Sequence, residues 1–273
     1  MPTPAAIAII PARFASTRLP GKPLLDRTGK PLIQHVAERA AHAASIDRVV
    51  VATDDERIRD AVLAFEGDVV MTATHHPNGT SRLAEALTLL RPAPPADTVV
   101  VNVQGDEPEI DPAVIDRLVE ALLEDPDAPM ATIASPFDET EDPAHTHLVK
   151  VVTTASEPRR ALYFSRSLIP YHRSGETEAS REGTQPLAAA ERSESAGASY
   201  PLKHVGVYAY RVDFLPRYAA LPATPLERAE RLEQLRALEH GHPIAVRIAN
   251  APHPGIDTAE QYDAFVRRDR EAK

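Results

Sequence analysis

Cysteine and tryptophan are both absent from the chain. The first absence excludes disulfides, thiolate metal sites and cysteine nucleophiles, and suits a reducing compartment such as the cytoplasm. Aromatic residues make up only 5% of the chain, so the core must be packed from Ala, Val, Ile and Leu. No stretch approaches the roughly twenty apolar residues that a membrane-spanning helix needs. The early apolar run, residues 5–10, is short and follows no Lys or Arg, so neither a secretory signal nor a membrane partner is expected. Basic residues are outnumbered, thirty Lys and Arg against forty Asp and Glu, for a net charge of −10. That balance argues against a general nucleic-acid binder and makes any anion site a local one. Two glycine signatures are missing as well. The dinucleotide pattern G-x-G-x-x-G does not occur, and a Walker loop would need Gly at 16 and Ser or Thr at 23, where Ser16 and Pro23 stand.

What is present is a chain of 273 residues, 43% hydrophobic and 26% charged, long enough for a substantial core. Its first half alternates strands with helices. Strands are predicted at 6–10, 48–52, 68–72 and 98–103. Helices are predicted from Pro31 with Leu32, Ile33, Val36, Ala37 and Ala40 inward, after Thr53 and Asp54 as caps, at 81–90 and at 112–124. Strands buried on both faces and separated by helices predict an α/β fold, doubly wound with a mostly parallel sheet, whose ligands lie beyond the carboxyl ends of the strands. The second half is less regular. Strands are expected at 130–135, 149–154, 161–164, 204–211 and 244–248, in mixed directions, as a smaller mixed α+β sub-region inserted there. A long helix is expected at 225–240 and a closing one at 258–270. Residues 173–199, rich in Ser, Glu, Ala and Gly, read as a mobile loop.

Three segments carry chemistry. The loop Pro11-Ala-Arg-Phe-Ala-Ser-Thr-Arg-Leu-Pro-Gly-Lys follows the first strand and gathers Arg13, Arg18 and Lys22 near Ser16 and Gly21, a set suited to polyphosphate oxygens. Alone, it also fits a solvated basic loop. Val101-Asn-Val-Gln-Gly-Asp-Glu-Pro108 delivers Gln104, Gly105, Asp106 and Glu107 at the end of a buried strand, where a carboxylate is placed to hold Mg²⁺ against phosphates. A capped turn is the plainer alternative. Gly255-Ile-Asp-Thr258 places Asp257 before a helix, where the default role of Asp257-Thr258 is an N-cap.

These segments, with His76-Pro-Asn-Gly-Thr-Ser-Arg82, Lys150–Pro170, His204–Arg211 and Leu232-Glu-Gln-Leu-Arg236, run in order along almost the whole chain. Together they resemble the 3-deoxy-manno-octulosonate (Kdo) cytidylyltransferases, also called CMP-Kdo synthetases. The combination of Val-Gln-Gly-Asp-Glu-Pro, Tyr-Phe-Ser-Arg and Leu-Glu-Gln-Leu-Arg is the specific part. The first loop is shared with CMP-sialate synthetases and other sugar nucleotidyltransferases.

The resemblance implies a fold of the nucleotide-diphospho-sugar transferase type and transfer of CMP from CTP to Kdo for lipopolysaccharide synthesis. It implies that Arg13, Ser16, Arg18 and Lys22 serve the triphosphate, and that Asn78, Gly79, Arg82 and Gln104 serve the cytidine. Asp106 and Asp257 would hold Mg²⁺, with Arg13, Lys22, Asp106 and Asp257 as the catalytic set. Arg166, His204, Tyr208, Glu233 and Gln234 would serve the sugar acid. A cytoplasmic homodimer is implied too. One nucleotidyltransferase domain, 1–273, is expected, with a nucleotide-binding half (1–135), a sugar-binding and dimerisation half (136–250) holding the loop 173–199, and a closing helix (251–273). Relatives usually carry Ser and an acidic residue where Asn78 and Ser81 stand, which leaves Arg82 short of one partner. The readings that remain beside this one are a cytidylyltransferase for another acidic sugar, of sialic acid or amino-Kdo type, and a non-catalytic nucleotide-binding module.

Overall fold

The computed structural model describes residues 5–15, 19–171, 200–251 and 255–271. Ser16, Arg18 and the loop 173–199 therefore lie outside the described residues. The first four strands are β1 (Ala6–Ala12), β2 (Arg48–Thr53), β3 (Asp68–Met71) and β4 (Val99–Asn102). The later ones are β5 (Met130–Pro136), β6 (Lys150–Thr153), β7 (Ala161–Ser165), β8 (Leu202–Arg211) and β9 (Ile244–Ile248). They form one nine-stranded sheet in the order β3-β2-β1-β4-β8-β5-β9, with the β6–β7 hairpin joined to β8. Neighbours from β3 to β4 are parallel, and so are β5 and β9. Only β8 runs against its neighbours β4 and β5 along that path, which gives the mixed directions expected of the second half.

The helices are α1 (Leu32–Ala41), α2 (Glu56–Ala64), α3 (Gly79–Leu89), α4 (Pro112–Glu124), α5 (Phe214–Ala220), α6 (Pro225–Glu230), α7 (Gln234–Glu239) and α8 (Ala259–Glu271). Period 2 in the strands meets period 3.6 in the helices to make two cores. On one face Ile33 and Val36 of α1, Ile58 and Val62 of α2, and Val114, Ile115 and Leu118 of α4 pack on Ala8, Ile10 and Val101. On the other face Leu83 and Leu87 of α3, Phe214 and Tyr218 of α5, and Leu235 of α7 pack on Ile7, Ile9, Val100 and Tyr210. Each fully buried Leu or Ile is worth about 1.5–3 kcal/mol of transfer free energy, which is why aliphatic residues suffice. A third, smaller cluster seats Tyr262, Phe265 and Val266 of α8 against Leu32, returning the end of the chain to the first half.

Two expectations are corrected. The helix expected over 225–240 is two short ones, broken at Arg231, whose φ is +52°. Leu226, Ala229, Leu232 and Leu235 repeat every three residues, and on a 3.6-residue helix that spacing drifts off any one face. The chain instead turns, leaving α6 with no buried residue and Leu235 in the core. The carbonyls of Glu230 and Arg231 at the break accept from the Arg166 guanidinium at 2.7 and 3.4 Å. At the start of α2 the cap is neither Thr53 nor Asp54. Asp55 accepts from the Arg57 N–H at 3.0 Å, which frees Asp54 for a partner elsewhere.

Candidate nucleotide and metal site

Between β1 and β4 the winding of the sheet reverses, because the chain runs from β1 outward to β2 and β3 and then crosses back to β4. An open parallel sheet gapes at such a point. A cleft of about 440 Å³ opens there, lined by Pro11, Ala12, Arg13, Lys22, Pro23, His76, Pro77, Asn78, Gly79, Arg82, Gln104, Gly105, Asp106 and Asp257. The loops leaving the two strands touch at Gly105, where a Cβ would stand 2.9 Å from the Pro11 carbonyl oxygen. A side chain at 105 would force those backbones apart.

At the floor of the cleft three parts of the chain meet on one ammonium. Lys22 Nζ donates to Asp106 Oδ2 at 2.8 Å, to the Ile256 carbonyl at 2.7 Å and to Asp257 Oδ1 at 3.3 Å. The Ile256 N–H also donates to the Asp106 carbonyl at 2.7 Å, fixing the two segments together. The cap of α8 is made not by Asp257 but by its neighbour. Gln261 N–H donates to Thr258 Oγ1, while the Gln261 side chain accepts from the Thr258 and Asp257 N–H groups, a capping-box arrangement. The lysine side chain is 13% exposed, against 30% for Asp106 and 41% for Asp257. Beside them Glu107 has lost hydration, and with the Asp106 charge nearby its carboxyl is pushed up to about 8.

The donor set fits a hard divalent cation: two carboxylates converge within bonding reach of a single positive charge. Among the described residues no third acidic or imidazole ligand joins them. An ion there would draw its remaining ligands from phosphate oxygens and water, the habit of Mg²⁺.

The opposite wall is the first turn of α3. Asn78 caps it, its side chain accepting from Ser81 N–H at 2.9 Å, so half of the amide expected to face the base is committed to the helix. Arg82 is buried and is not short of partners: it donates to Thr72 Oγ1 at 2.6 Å and pairs with Asp54 at 3.1 Å. Gln104 Nε2 donates to the Gly206 carbonyl at 3.3 Å, tying the β4 exit to β8. Glu85, with His76 as its partner, adds a contact that no sequence-based expectation covers. Nε2 of His76 bonds the Glu85 carboxylate, and Nδ1 lies 3.2 Å from Ser81 Oγ. The His76-Pro-Asn-Gly motif was the available signal.

Three of the five residues expected at a sugar acid, His204, Tyr208 and Glu233, come near one another on the α3 side of the sheet, and Gln234 follows Glu233 in the chain. His204 and Tyr208 stand on the same face of β8 with ring centroids 5.5 Å apart. His204 Nε2 lies 3.0 Å from Thr132 Oγ1, which is also 2.9 Å from the Val207 carbonyl. With the hydroxyl donating to that carbonyl, the ring N–H donates to Oγ1 and Nδ1 remains an acceptor. Burial pushes the His204 ring down to about 3, so it is neutral at physiological pH. The same burial raises the Tyr208 hydroxyl, with a smaller contribution from the charge of Glu233. Glu233 is raised too, by burial, and its Oε1 has no partner among the described residues; neither has Nε2 of the adjacent Gln234. Buried polar atoms without partners are uncommon, and these two lie together at the start of α7. Arg166 does something different. Its guanidinium is spent on the carbonyls of Glu230, Thr146 and Arg231, bracing the end of β7 against the α6–α7 turn.

Residues 7–248 match the family described as cytidylyltransferase. A 3-deoxy-manno-octulosonate cytidylyltransferase of Syntrophobacter fumaroxidans is 46% identical over 260 residues, 95% of this chain and 95% of its own length. One from Syntrophotalea carbinolica is 48% identical over 256 residues, 93% and 94% of the two chains. Among solved structures, a CMP:2-keto-3-deoxy-manno-octonic acid synthetase complexed with CTP superposes with a TM-score of 0.82 at 41% identity, covering 98% of this chain and 100% of that one.

Proposed function

The chain belongs to the cytidylyltransferase family, and from that premise we propose that it transfers CMP from CTP to the anomeric hydroxyl of Kdo with release of pyrophosphate. The observation that carries this reading is the meeting of Lys22, Asp106 and Asp257 on the floor of a cleft at the switch point of the sheet. A likeness of 46–48% to relatives of that name over nearly the whole chain supports the choice of substrates.

The sugar hydroxyl attacks the α-phosphorus in line and gives up its proton to water, a new P–O bond forms, and the bond to the β-phosphate breaks with its electrons leaving on pyrophosphate. Little covalent work falls to the protein, so positioning and charge neutralisation decide the rate. Arg13 and Lys22 are cations on the rim and floor of the cleft and take the triphosphate oxygens, with Ser16 and Arg18 in the same loop. Gly105 lets the backbone approach the nucleotide. Asn78, Gly79, Arg82 and Gln104 form the walls for cytosine and ribose. His204, Tyr208, Glu233 and Gln234 offer a neutral imidazole acceptor, a phenol, a carboxyl and an amide to the hydroxyls of the sugar, while Arg166 holds their support in place. Asp106 and Asp257 would hold Mg²⁺, which when bound neutralises charge on the α-phosphate.

A chain with a net charge of −10 must bind two anionic substrates, so these local cations dominate the field in the cleft. We further assign the reaction to the cytoplasm, where nucleoside triphosphates are made, as the activation of Kdo for lipopolysaccharide synthesis. A homodimer is proposed as well; Leu162, Leu168, Tyr171 and Leu226 are exposed large apolar residues of the second half that a partner would cover. No helix among the described residues is long and apolar enough to cross a membrane. Pyrophosphate release from CTP, measured with Kdo and a panel of other 2-keto sugar acids, with and without Mg²⁺, tests the reaction. Kdo is expected to give the highest kcat/KM, and release only with Mg²⁺ present. Turnover with a different sugar acid and none with Kdo would overturn the substrate assignment.

A further inference from the structure

Lys22 is given to the triphosphate in the reaction above, yet its ammonium is bonded to both carboxylates that would receive a divalent ion. One positive charge cannot serve both places at once. We propose that Lys22 gates the metal site: its ammonium acts as a built-in counter-ion to Asp106 and Asp257, and a nucleoside triphosphate draws it off, so that nucleotide binding and divalent-cation binding strengthen each other. The inference rests on the nucleotide and metal reading of the cleft.

Three features of the site carry it. All three ammonium protons are spoken for, by Asp106, Asp257 and the Ile256 carbonyl, so the lysine occupies the floor rather than merely passing near it. Its side chain is 13% exposed, so water can do little to weaken those bonds by competition. And the protein offers a divalent ion only two carboxylates, with no third acidic or imidazole ligand among the described residues. An ion approaching the nucleotide-free protein meets an incomplete ligand set and a like charge already seated in it. With a triphosphate in the cleft both obstacles fall together: phosphate oxygens complete the ligand set, and their charge gives the ammonium a second anionic partner on a four-carbon stem that can swing. Reciprocity is then required by linkage, because whatever factor the nucleotide adds to ion affinity the ion adds to nucleotide affinity.

The ordering has a chemical use. A divalent ion seated without nucleotide would leave Lys22 without its carboxylates before its phosphate partner has arrived. Coupling the two events keeps the floor of the cleft near charge balance in both states, and it assembles the cationic surroundings of the α-phosphate only when a phosphate is there to receive them.

The test is direct binding of Mn²⁺, followed by electron paramagnetic resonance and calorimetry, to the wild-type protein and to Lys22→Met and Asp106→Asn, with and without a non-hydrolysable CTP analogue. Wild type is expected to bind Mn²⁺ weakly alone and much more tightly with the analogue. Lys22→Met is expected to bind Mn²⁺ alone about tenfold more tightly than wild type, as loss of charge-assisted bonds of this kind implies, and to gain less from the analogue. Its melting temperature in chelator should fall, through repulsion between the bared carboxylates, and should rise on adding Mn²⁺ by more than wild type's does. If Lys22→Met folds only with Mn²⁺ present, that rescue supports the proposal equally, and failure of Mn²⁺ to rescue counts against it. Unchanged or weaker Mn²⁺ affinity in Lys22→Met, with binding abolished in Asp106→Asn, overturns the gate while leaving the metal site standing. Mn²⁺ binding that Asp106→Asn leaves intact overturns the gate and the metal reading beneath it together.

Discussion

Arg82 and Asp54 form an ion pair at 3.1 Å on the wall of the cleft, joining the first turn of α3 to the loop that leaves β2. The arginine side chain is 6% exposed, and the aspartate supplies the negative charge that Ser81 does not. Removing one partner of a buried pair strands the other. Asp54→Asn is therefore expected to lower stability by about 1–3 kcal/mol and to raise KM for CTP with a smaller effect on kcat. Urea unfolding and steady-state kinetics check this, and an unchanged KM would remove Arg82 from the nucleotide wall.

Asp106→Asn keeps size and removes charge. Lys22 retains the Ile256 carbonyl and Asp257, so the stability cost should stay near or below about 1 kcal/mol, as for other partly exposed pairs. Turnover should fall about 10²-fold or more, the usual scale for losing a group that stabilises developing charge. Near wild-type turnover at saturating Mg²⁺ would take Asp106 out of the reaction.

Gly105→Ala tests the close approach of the two strand exits. The new methyl would lie 2.9 Å from the Pro11 carbonyl oxygen, a backbone atom with little freedom to yield. Overpacking of this kind costs about 1–3 kcal/mol, and it widens the gap in which the nucleotide must sit. Loss of both stability and kcat/KM is expected; a variant that matches wild type in urea and in turnover would show that the loops can part freely.

Glu85→Gln tests the neighbour of His76. The Glu85 carboxyl is held below its ordinary value, first by the His76 bond and then by the Ala73 N–H. Removing the charge should loosen the His76 ring and the turn before Asn78, raising KM for CTP several-fold while leaving kcat closer to wild type. Equal losses in kcat and kcat/KM would place the network in the chemical step instead.

His204 sets part of the acid sensitivity. Its ring is pushed by burial from 6.5 to about 3. Between those values the unfolded chain carries a proton here that the folded chain does not, so stability falls as pH drops from 6.5 toward 3. His204→Gln removes this group, and its stability in urea should decline less than wild type's between about pH 7.5 and about pH 5.5. Parallel decline in the two proteins would mean that the ring is free to charge in the folded state.

Local rules made most of the frame legible from residues alone. Runs such as Ala6–Ile10 and Val99–Val103 bury on both faces and can only be interior strands. α4 emerges at the residues expected, 112–124, because Asp111 caps it, Pro112 opens it and its apolar residues keep a 3.6-residue period. That a candidate site lies beyond the carboxyl ends of the strands followed from the fold class, the choice of the β1–β4 point needed the strand order, and the residue roles followed from the resemblance. Other features depended on contacts between distant segments. Where the Arg166 guanidinium docks is one of them: it reaches across to the carbonyls at the break within 225–240. Which aspartate caps α2 and which pairs with Arg82 is decided by where Thr72 and α3 come to rest. Above all, the placing of one ammonium between Asp106 and Asp257 belongs to tertiary structure: Lys22 and Asp106 stand 84 positions apart. Periodicity and capping act within a few residues, whereas the meeting of such groups is set by the order of strands in the sheet and by the packing of α8 against α1.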